Sequence, residues 1–277
     1  MPELPEVESV RRTLEPRLLG ARVTAATLRR PDILSTPPGE PRASTNRRLL
    51  VGGRITTLCR QGKQLAMLTH DGRACIVQLG MTGSLRWSSE PPAGDPSHHV
   101  HCIWTLGRGR GCLWFADPRR FGGLTSLRET SLPTHWAALG PDALSISGAH
   151  LRHTLELSRR AVKASLLDQR TLAGVGNIYA DEALFVAKLS PHAPCCSLPP
   201  AAWENLAQAI RSILTQAVAA GGSTLRDYRD GEGNAGRYQA RHNVYGRAGL
   251  PCPACGSPLS SGLLAQRTTV WCSACQG

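Results

Sequence analysis

Two cysteine pairs near the end of the chain constrain its folding more than any other feature. Cys252 and Cys255 form one Cys-x-x-Cys pair, and Cys272 and Cys275 form a second pair after sixteen intervening residues. Two such pairs can surround one tetrahedral ion, because each tight knuckle directs both thiolates inward. The spacing therefore predicts a zinc site. The alternatives are a redox dithiol or two coincidental pairs.

A site with four thiolate ligands leaves no open coordination position, so we expect the zinc ion to be structural and not catalytic. The cysteine-rich segment is too short to build an apolar core of its own, and the ion would take the place of that core. We therefore expect one Zn²⁺ and a small β-ribbon that contains residues 264–271.

The charge of the chain favours a polyanionic partner. Among 277 residues, 32 are Lys or Arg and 20 are Asp or Glu, which gives a formal net charge of +12. Basic surfaces gain free energy on nucleic acids because condensed counterions are released. The same net charge would also fit a protein that its charge merely keeps soluble. The sequence motifs therefore have to distinguish a nucleic-acid-binding protein from this alternative. A hydrophobic content of 41% excludes a disordered chain.

The first half of the chain is predicted to form one helix followed by β-structure. Apolar residues recur at helical spacing over residues 3–19. From residue 22 to 127, short apolar runs alternate with turn sequences, as in a β-sandwich or a flattened barrel.

The second half is predicted to be helical. Residues 128–148 have few regular patterns and are expected to form a linker. Helical apolar patterns then cover residues 150–158, 178–187 and 200–220. We therefore predict an α+β fold, in which an N-terminal β-sandwich with an N-terminal helix precedes a helical domain that ends in a zinc ribbon.

The N-terminus offers a candidate nucleophile. Methionine before proline is generally excised, which would leave Pro2 with a free secondary amine. An α-amino group has a pKa near 8, so much of it can be neutral and can attack a sugar carbon to form an iminium ion. Glu3 is adjacent and could move protons. The alternative is an ordinary proline, with the nearby glutamates simply favouring the helix dipole.

The N-terminal string is the first of nine blocks that follow one another along the chain. The blocks are MPELPEVE at the start, Gly62-Lys63, LGMTGSLR at 79–86, DPRRFGG at 117–123, LLDQ at 166–169, GVGNIYADEALF at 174–185, GGSTLRDY at 221–228, VYGR at 244–247 and AQRTTVWCSACQ at 265–276. In this order they resemble the formamidopyrimidine-DNA glycosylase family along essentially the whole chain. The leading PELPE is similar to the branch that acts on oxidised purines.

The resemblance implies catalytic roles for four residues and a structural role for Glu6. Pro2 would be the nucleophile that forms a Schiff base, and Glu3 would protonate the ring oxygen of the deoxyribose. Glu6 would help hold the geometry of the active site. Lys63 would donate a proton in β-elimination and contact a phosphate. Arg267, in the ribbon, would contact phosphate and assist δ-elimination; taken alone, it is a surface charge.

The resemblance also implies an insertion triad, which consists of Met81, Arg119 and Phe121. A base that is extruded from a duplex leaves a gap, and a side-chain wedge must fill it. Met81 and Phe121 would supply apolar bulk, and Arg119 would hydrogen-bond the orphaned base. Taken in isolation, the two apolar residues would more often belong to a core.

Further DNA contacts are implied in both halves of the chain. Asn177 would bind phosphate from a helix–two-turn–helix segment, where its Gly-x-Gly-Asn setting alone indicates only a helix start. His99 and the pair Arg159-Arg160 match regions that contact DNA in the family; the alternative is a solvated basic face. The loop after Gly222 would close over the flipped base, or would be an ordinary disordered loop.

One position departs from the family pattern. The family usually has His before Leu-Gly-Met, and this chain has Gln78. The histidine binds phosphate, whereas glutamine retains a neutral donor and cannot become positively charged. We expect a weaker hold on the DNA backbone at this point without loss of activity.

The resemblance predicts three domains and a repair function. Residues 1–132 would form the catalytic β-sandwich, 133–243 the helical DNA-binding domain with the lesion-capping loop, and 244–277 the zinc ribbon. The expected activity is that of a bifunctional DNA glycosylase and AP lyase, which excises oxidised purines and then cleaves the strand by β,δ-elimination. The expected partner is double-stranded DNA that contains oxidised bases or abasic sites.

Two other functions remain open at this stage. One is a glycosylase of the same superfamily that prefers oxidised pyrimidines, and the other is a non-catalytic zinc protein that binds damaged DNA. The N-terminus lacks a secretory signal and no apolar run approaches the ~20 residues that cross a bilayer. We therefore expect a monomer in a bacterial-type cytoplasm, associated with the nucleoid and not with a membrane.

Overall fold

The computed structural model describes residues 2–92 and 99–277 of the chain. The chain divides into two compact units. The first unit comprises Met1–Ala138 and Gly221–Arg237, and the second comprises Leu139–Ala220 and Tyr238–Gly277. Within the described residues, no helix combines the length and the apolar character that a bilayer-spanning segment needs.

The first unit begins with helix α1 (Leu4–Leu18), which confirms the helix predicted over residues 3–19. Glu3 occupies the N-cap position and a proline lies in the first turn, where the missing N–H costs nothing. The apolar stripe of α1 consists of Val7, Val10, Leu14 and Leu18, and none of these side chains is more than 1% exposed.

Within the described part of this unit, nine strands follow in two sheets. They are β1 (Val23–Leu28), β2 (Leu34–Ser35), β3 (Ile55–Gln61), β4 (Gln64–Thr69), β5 (Arg73–Gln78), β6 (Ser84–Ser88), β7 (Val100–Leu106), β8 (Cys112–Ala116) and β9 (Gly123–Arg128). The four-stranded sheet has the order β1-β7-β8-β6, and the five-stranded sheet has the order β2-β9-β5-β4-β3. Every pairing is antiparallel except the short parallel pair of β2 and β9.

One apolar core joins the two sheets and α1. It takes Trp104 and Phe115 from the four-stranded sheet, Met67 and Val77 from the five-stranded sheet, and the stripe of α1. Because side chains alternate across a strand, each sheet turns one apolar face toward this shared core. The prediction of a β-sandwich in the N-terminal half is therefore confirmed.

Two short helices complete the first unit. They are α2 (Thr45–Arg48) and α3 (Leu132–Trp136). Helix α3 lies within residues 128–148, where the sequence predicts a linker with few regular patterns. It forms because Leu132 and Trp136 are one helical turn apart and both pack on a small second core beneath the five-stranded sheet.

The second unit is built on four helices, α4 (Gly148–Leu155), α5 (Val162–Leu166), α6 (Asn177–Val186) and α7 (Pro200–Ala219). Helix α7 packs against both α4 and α6. Its apolar face is buried as its 3.6-residue period predicts, with Trp203 and Leu206 among the most buried side chains. The three predicted helices are confirmed, whereas α5 is too short to produce a periodic signal.

The chain ends in a two-stranded ribbon formed by β10 (Ser260–Leu264) and β11 (Arg267–Trp271). Ala265 and Gln266 join the strands, both with positive φ, as the tightest hairpin turns require. Leu259, Val270 and Phe185 of α6 pack in one apolar cluster, which attaches the ribbon to the helices.

Candidate functional site

The Glu6 side chain organises the N-terminus of α1. One oxygen of its carboxylate accepts a hydrogen bond from the backbone N–H of Glu3 at 2.8 Å. Glu3 and Glu6 are 2% and 1% exposed, and Pro2 is buried directly before them. This arrangement fixes the backbone from which Pro2 extends, so three predicted site residues lie together.

The second oxygen of Glu6 binds the segment 221–237 of the same unit. It accepts a hydrogen bond from the backbone N–H of Ser223 at 2.7 Å. The Tyr228 hydroxyl donates to the backbone carbonyl of Glu6 at 3.0 Å. Burial raises the pKa of Tyr228, which keeps this hydroxyl a neutral donor.

Gly222 is required at this junction. Its φ is +81°, and a Cβ there would lie 2.7 Å from a carboxylate oxygen of Glu6. Any other residue would be strained and would displace the carboxylate that holds Glu3. The predicted lesion-capping loop therefore begins with a direct contact to the site residue Glu6.

A buried ion-pair network connects α1 to the turn that carries Lys63. The Glu8 carboxylate binds Arg60 at 3.1 Å, and Arg60 donates to the carbonyl of Gly62 at 3.0 Å. Gly62 and Lys63 form the two-residue turn between β3 and β4, and Lys63 is half-buried there. The network holds the Lys63 turn against the same helix that positions Pro2.

The charge of Glu8 is strongly stabilised. Its burial would raise the pKa, but hydrogen bonds from Arg11 and Arg12 and the charge of Arg60 lower the pKa from 4.5 to about 2. Glu8 therefore remains ionised at neutral pH and keeps its arginine partners in place.

The insertion triad lies on two adjacent loops of the sandwich. Met81 is half-buried in the turn between β5 and β6, and Arg119 and Phe121 are exposed in the loop between β8 and β9. Phe121 keeps 55% of its surface exposed, so it does not belong to the core. The Arg119 guanidinium lies 4.9 Å from the centre of the Phe121 ring, within the range of a cation–π contact.

Gln78 ends strand β5 and is exposed. Its side-chain oxygen accepts a hydrogen bond from the Gln64 amide at 3.4 Å, and the Gln64 oxygen accepts one from the Trp136 indole N–H at 2.8 Å. These two hydrogen bonds direct the oxygen of Gln78 toward Gln64. The amide hydrogens of Gln78 are then left for another acceptor. His99 is exposed immediately before β7.

In the second unit, Asn177 and Arg267 lie on elements that are bonded to each other. Asn177 is the first residue of α6, and its side-chain amide donates to the carbonyl of Thr268 at 2.9 Å. Arg267 is the exposed first residue of β11, directly before Thr268. The two predicted phosphate ligands are therefore held close to each other by the ribbon.

A buried ion pair strengthens the same junction. Lys163 of α5 and Asp181 of α6 approach to 2.7 Å, and both side chains are fully buried. The Lys163 ammonium also donates to the Thr269 hydroxyl at 2.7 Å, and the Asp181 carboxylate accepts from the backbone N–H of Val270 at 3.2 Å. Strand β11 is thus fixed to two helices through charged groups.

Glu182, next to Asp181, organises the residues that precede the ribbon. Its carboxylate accepts hydrogen bonds at 2.8–2.9 Å from the backbone N–H groups of Asn243, Val244 and Tyr245 and from the Asn243 side chain. Four donors compensate the burial of this charge. α6 therefore carries two buried carboxylates, each attached to a different part of the C-terminal segment.

The four predicted metal ligands form one cluster. The Sγ atoms of Cys252, Cys255, Cys272 and Cys275 all lie within 4.8 Å of one another. The pairs Cys252–Cys275 and Cys255–Cys272 are 4.0 and 3.5 Å apart. Metal–sulfur bonds of about 2.3 Å in a tetrahedron place sulfur atoms about 3.8 Å apart. The four cysteines can therefore hold a metal ion.

Arg159 and Arg160 are exposed in the turn after α4. Arg160 binds the Asp168 carboxylate at 3.4 Å and the carbonyl of Ala164 at 3.2 Å. Hydrogen bonds from Arg170 and Arg160 hold the pKa of Asp168 well below its usual range, although burial acts in the opposite direction. Arg160 is thus engaged within the protein, and Arg159 extends from the same turn.

The sequence did not identify several residues that position the site. They are Glu8, Arg60, Gln64, Trp136, Lys163, Asp181 and Glu182. For Asp181 and Glu182 a signal was present, since two adjacent acids interrupt an otherwise apolar helix and buried acids need partners. The other residues carry no such signal, because their partners are distant in the sequence.

The geometry agrees with comparisons to known proteins. Residues 1–124 match the formamidopyrimidine-DNA glycosylase N-terminal domain, and residues 139–229 match the H2TH domain of formamidopyrimidine-DNA glycosylase. A formamidopyrimidine-DNA glycosylase of Thermomicrobium roseum is 43% identical over all of this chain and 99% of its own length. The chain belongs to the formamidopyrimidine-DNA glycosylase family. The predicted resemblance is confirmed.

Solved structures of family members are similar over nearly the whole chain. The MutM (Fpg) protein of Thermus thermophilus is 42% identical with a TM-score of 0.86, and the alignment covers 99% of this chain and 98% of that one. A Lactococcus lactis Fpg mutant in complex with DNA that contains Fapy-dG is 31% identical with a TM-score of 0.89 and covers 99% of both chains. The predicted α+β fold of this family member is confirmed.

Proposed function

We propose that this family member excises oxidised purines, 8-oxoguanine and formamidopyrimidines, from double-stranded DNA with the secondary amine of Pro2 as its nucleophile. The family consists of bifunctional glycosylases and AP lyases of base excision repair, and the chain is such an enzyme. The observation that carries the assignment of Pro2 is the carboxylate of Glu6, which holds Glu3 by its backbone N–H at 2.8 Å.

The first chemical step is a displacement at the sugar. Removal of Met1 leaves Pro2 with a secondary amine. Its nitrogen attacks C1′ and gives up its proton, while the damaged base leaves with the bonding electrons and takes up a proton. Glu3 protonates the ring oxygen, the ring opens, and the nitrogen lone pair forms the C1′=N bond. Because the amine is secondary, the product is a cationic iminium ion without loss of a further proton.

The iminium ion permits two eliminations. It withdraws electrons from C2′, so that loss of a proton there breaks the C3′–O bond, and a second elimination breaks the C5′–O bond. Lys63 supplies a proton in the first elimination and contacts a phosphate. Arg267 binds phosphate and assists the second elimination, for which its planar guanidinium is suited. The products are a released base and a strand cut on both sides of the sugar.

The exposed basic residues and the insertion triad support DNA as the partner. Met81, Arg119 and Phe121 fill the gap left by the extruded base, which offsets an unstacking cost of a few kcal/mol. Asn177 binds a phosphate, and His99 and Arg159 contact the DNA. Structures of family members with damaged or abasic-site DNA support this partner.

We assign the four-cysteine cluster to one structural zinc ion. Four thiolates saturate a tetrahedral ion, and the sulfur separations of 3.5 and 4.0 Å suit zinc–sulfur bonds. The backbone N–H of Ala254 donates to the Cys252 sulfur at 3.4 Å, which favours the thiolate. The ion supplies folding energy to the ribbon, and Arg267 depends on the ribbon for its position.

The proposed division of labour has three parts. Residues 1–132 form the catalytic domain, 133–243 the DNA-binding domain with the lesion-capping loop, and 244–277 the zinc ribbon. We infer that the protein acts as a monomer, in a bacterial-type cytoplasm and on nucleoid DNA.

Borohydride trapping tests the proposal. The protein is incubated with duplexes that contain 8-oxoguanine opposite cytosine, an abasic site or thymine glycol, and the covalent complex is mapped by mass spectrometry. We expect a crosslink at Pro2 with the first two duplexes and faster base release from 8-oxoguanine than from thymine glycol. A matched control protein retains an N-terminal extension, so its Pro2 nitrogen is an amide.

Three results would contradict the proposal. Equal trapping of the extended control would remove Pro2 as the nucleophile. Preferred release of thymine glycol would make the substrate an oxidised pyrimidine. Binding of the abasic duplex without any covalent complex would leave a non-catalytic DNA-binding protein.

A further inference from the structure

We propose that Asp117 is a positioning residue that holds the two loops of the insertion triad as one rigid wedge. This inference rests on the proposed function. Asp117 directly follows β8 and is 0% exposed. Its carboxylate accepts hydrogen bonds from the Thr82 hydroxyl at 2.5 Å, the backbone N–H of Arg119 at 3.2 Å and the backbone N–H of Gly122 at 2.7 Å.

These three donors come from both loops. Thr82 is adjacent to Met81, and Arg119 and Gly122 flank Phe121 within the second loop. The Thr82 hydroxyl also accepts from the backbone N–H of Arg119 at 3.3 Å, which closes a small network. A single buried carboxylate therefore connects the backbones that present all three members of the triad.

The backbone of Asp117 adds a connection to the segment at His99. The Asp117 N–H donates to the carbonyl of His99 at 2.8 Å, and the Asp117 carbonyl lies 2.8 Å from the His101 imidazole. His101 is buried, whereas His99 is exposed. The same aspartate therefore also positions His99, a fourth residue that is assigned to DNA binding.

The two loops also touch backbone to backbone. A Cβ at Gly80 would lie 2.5 Å from the backbone of Phe121 and Gly122, and a Cβ at Gly122 would lie 2.5 Å from the carbonyl of Gln78. Neither glycine position leaves room for a Cβ, so the two loop backbones approach each other closely here. Asp117 adds to this close packing the hydrogen bonds of one buried carboxylate to both loops.

The donors of Asp117 are a hydroxyl and two N–H groups. Among residues 2–92 and 99–277, no ion pair with Lys or Arg is seen for this carboxylate. Asparagine at this position would present one oxygen and one NH₂ group, and the NH₂ group cannot accept from an N–H. The substitution therefore removes at least one of the three hydrogen bonds and weakens the connection, while it changes the side-chain volume very little.

A loosened wedge should affect one activity more than the other. Release of a damaged base requires that the base be extruded, and the wedge offsets the unstacking cost. Strand cleavage at a preformed abasic site requires no extrusion of a base. A residue that acts only through the wedge therefore changes base excision far more than abasic-site cleavage.

The test compares Asp117→Asn with the wild type on two duplexes under single-turnover conditions. We expect base excision from the 8-oxoguanine duplex to fall about tenfold or more, and cleavage of the abasic duplex to change by less than about threefold. Thr82→Val removes one donor to Asp117 and should reduce base excision less than Asp117→Asn does. Thr82→Ser keeps the hydroxyl and should retain the base excision rate of the wild type. Asp71→Asn, in the β4–β5 turn, is the matched control for loss of a surface carboxylate.

A binding measurement separates this inference from the proposed function. 2-Aminopurine placed beside a stable abasic-site analogue becomes brighter when the protein unstacks its neighbours, and this signal requires no catalysis. We expect a weaker signal for Asp117→Asn and Thr82→Val at saturating protein. Equal losses of both activities with an unchanged fluorescence signal would overturn the inference. Failure of the wild type to form a covalent complex would overturn the proposed function instead.

Discussion

The carboxylate of Glu6 accepts a hydrogen bond from the backbone N–H of Ser223, which lies 217 positions further along the chain. The same carboxylate holds the N–H of Glu3 with its other oxygen. The start of α1 and the start of the proposed capping segment therefore share one buried charge. A change in the position of either segment is transmitted to the residues beside Pro2.

Substitution of Glu6 by Gln should uncouple the two segments. The Gln amide retains one accepting oxygen, so one of the two N–H groups loses its acceptor at a cost of about 1–3 kcal/mol. We expect a lower free energy of unfolding in urea and a slower rate of borohydride trapping, with little change in DNA affinity. Glu15→Gln, at a half-exposed carboxylate of the same helix that does not bind Glu3 or Ser223, is the control. A wild-type trapping rate in Glu6→Gln would contradict the role of Glu6.

The stability of the protein should depend on the ionisation of Glu8. Because its pKa falls from 4.5 in the unfolded chain to about 2 in the fold, the carboxylate stabilises the fold above pH 4.5 and this contribution disappears as the pH falls toward 2. Lowering the pKa by this amount corresponds to a contribution of about 3 kcal/mol to the free energy of unfolding.

Urea unfolding of the wild type and Glu8→Gln between pH 7 and pH 2 measures this contribution. The free energies of unfolding should differ most at pH 7 and should converge near pH 2. Asp32→Asn removes an exposed ion pair with Arg30 and should leave the pH profile close to that of the wild type. Parallel profiles for the wild type and Glu8→Gln would show that Arg11, Arg12 and Arg60 do not stabilise the charge.

The fold was predictable where the signal is local. The stripe of Val7, Val10, Leu14 and Leu18 has the period of a helix, and the cysteine spacing has the geometry of a tetrahedral site. Helix α3 was not predicted, because five residues with two apolar anchors are too few to reveal a period.

The site was predictable only in part, for a related reason. The motifs identify the residues that face DNA, but the residues that position them act through partners far along the chain. Glu182 binds N–H groups 61 to 63 positions away, and Arg60 binds Glu8 52 positions away. Such pairings follow from the tertiary fold, which a pattern of residue spacings does not contain.

Loss of one metal ligand should disable the ribbon. Cys272→Ser replaces a buried thiolate, so bound zinc should fall from about one ion per chain to nearly none. DNA affinity should fall with it, because Arg267 lies on strand β11. Metal analysis and fluorescence anisotropy measure the two effects, and Cys196→Ser, at an exposed cysteine outside the cluster, is the control. Full DNA affinity of a zinc-free Cys272→Ser protein would contradict the prediction.

Gln78 offers a test of how this chain binds the DNA backbone. Its oxygen faces Gln64 at 3.4 Å, so its amide hydrogens remain for a phosphate, and that interaction does not depend on pH. Gln78→His introduces a side chain whose ordinary pKa is near 6.5 and whose protonated form attracts phosphate more strongly.

We expect Gln78→His to bind an abasic-analogue duplex a few times more tightly at pH 6 than at pH 8, relative to the same ratio for the wild type. At pH 6, the dependence of its affinity on salt should also steepen by up to about one counterion, since one more phosphate contact carries charge. Gln208→His, at an exposed position of α7, adds the same titrating group elsewhere and should not change the ratio. If Gln78→His and Gln208→His respond alike to pH and salt, residue 78 does not contact a phosphate. The hydrogen bonds from Trp136 to Gln64 and from Gln64 to Gln78 would then only stabilise the end of β5.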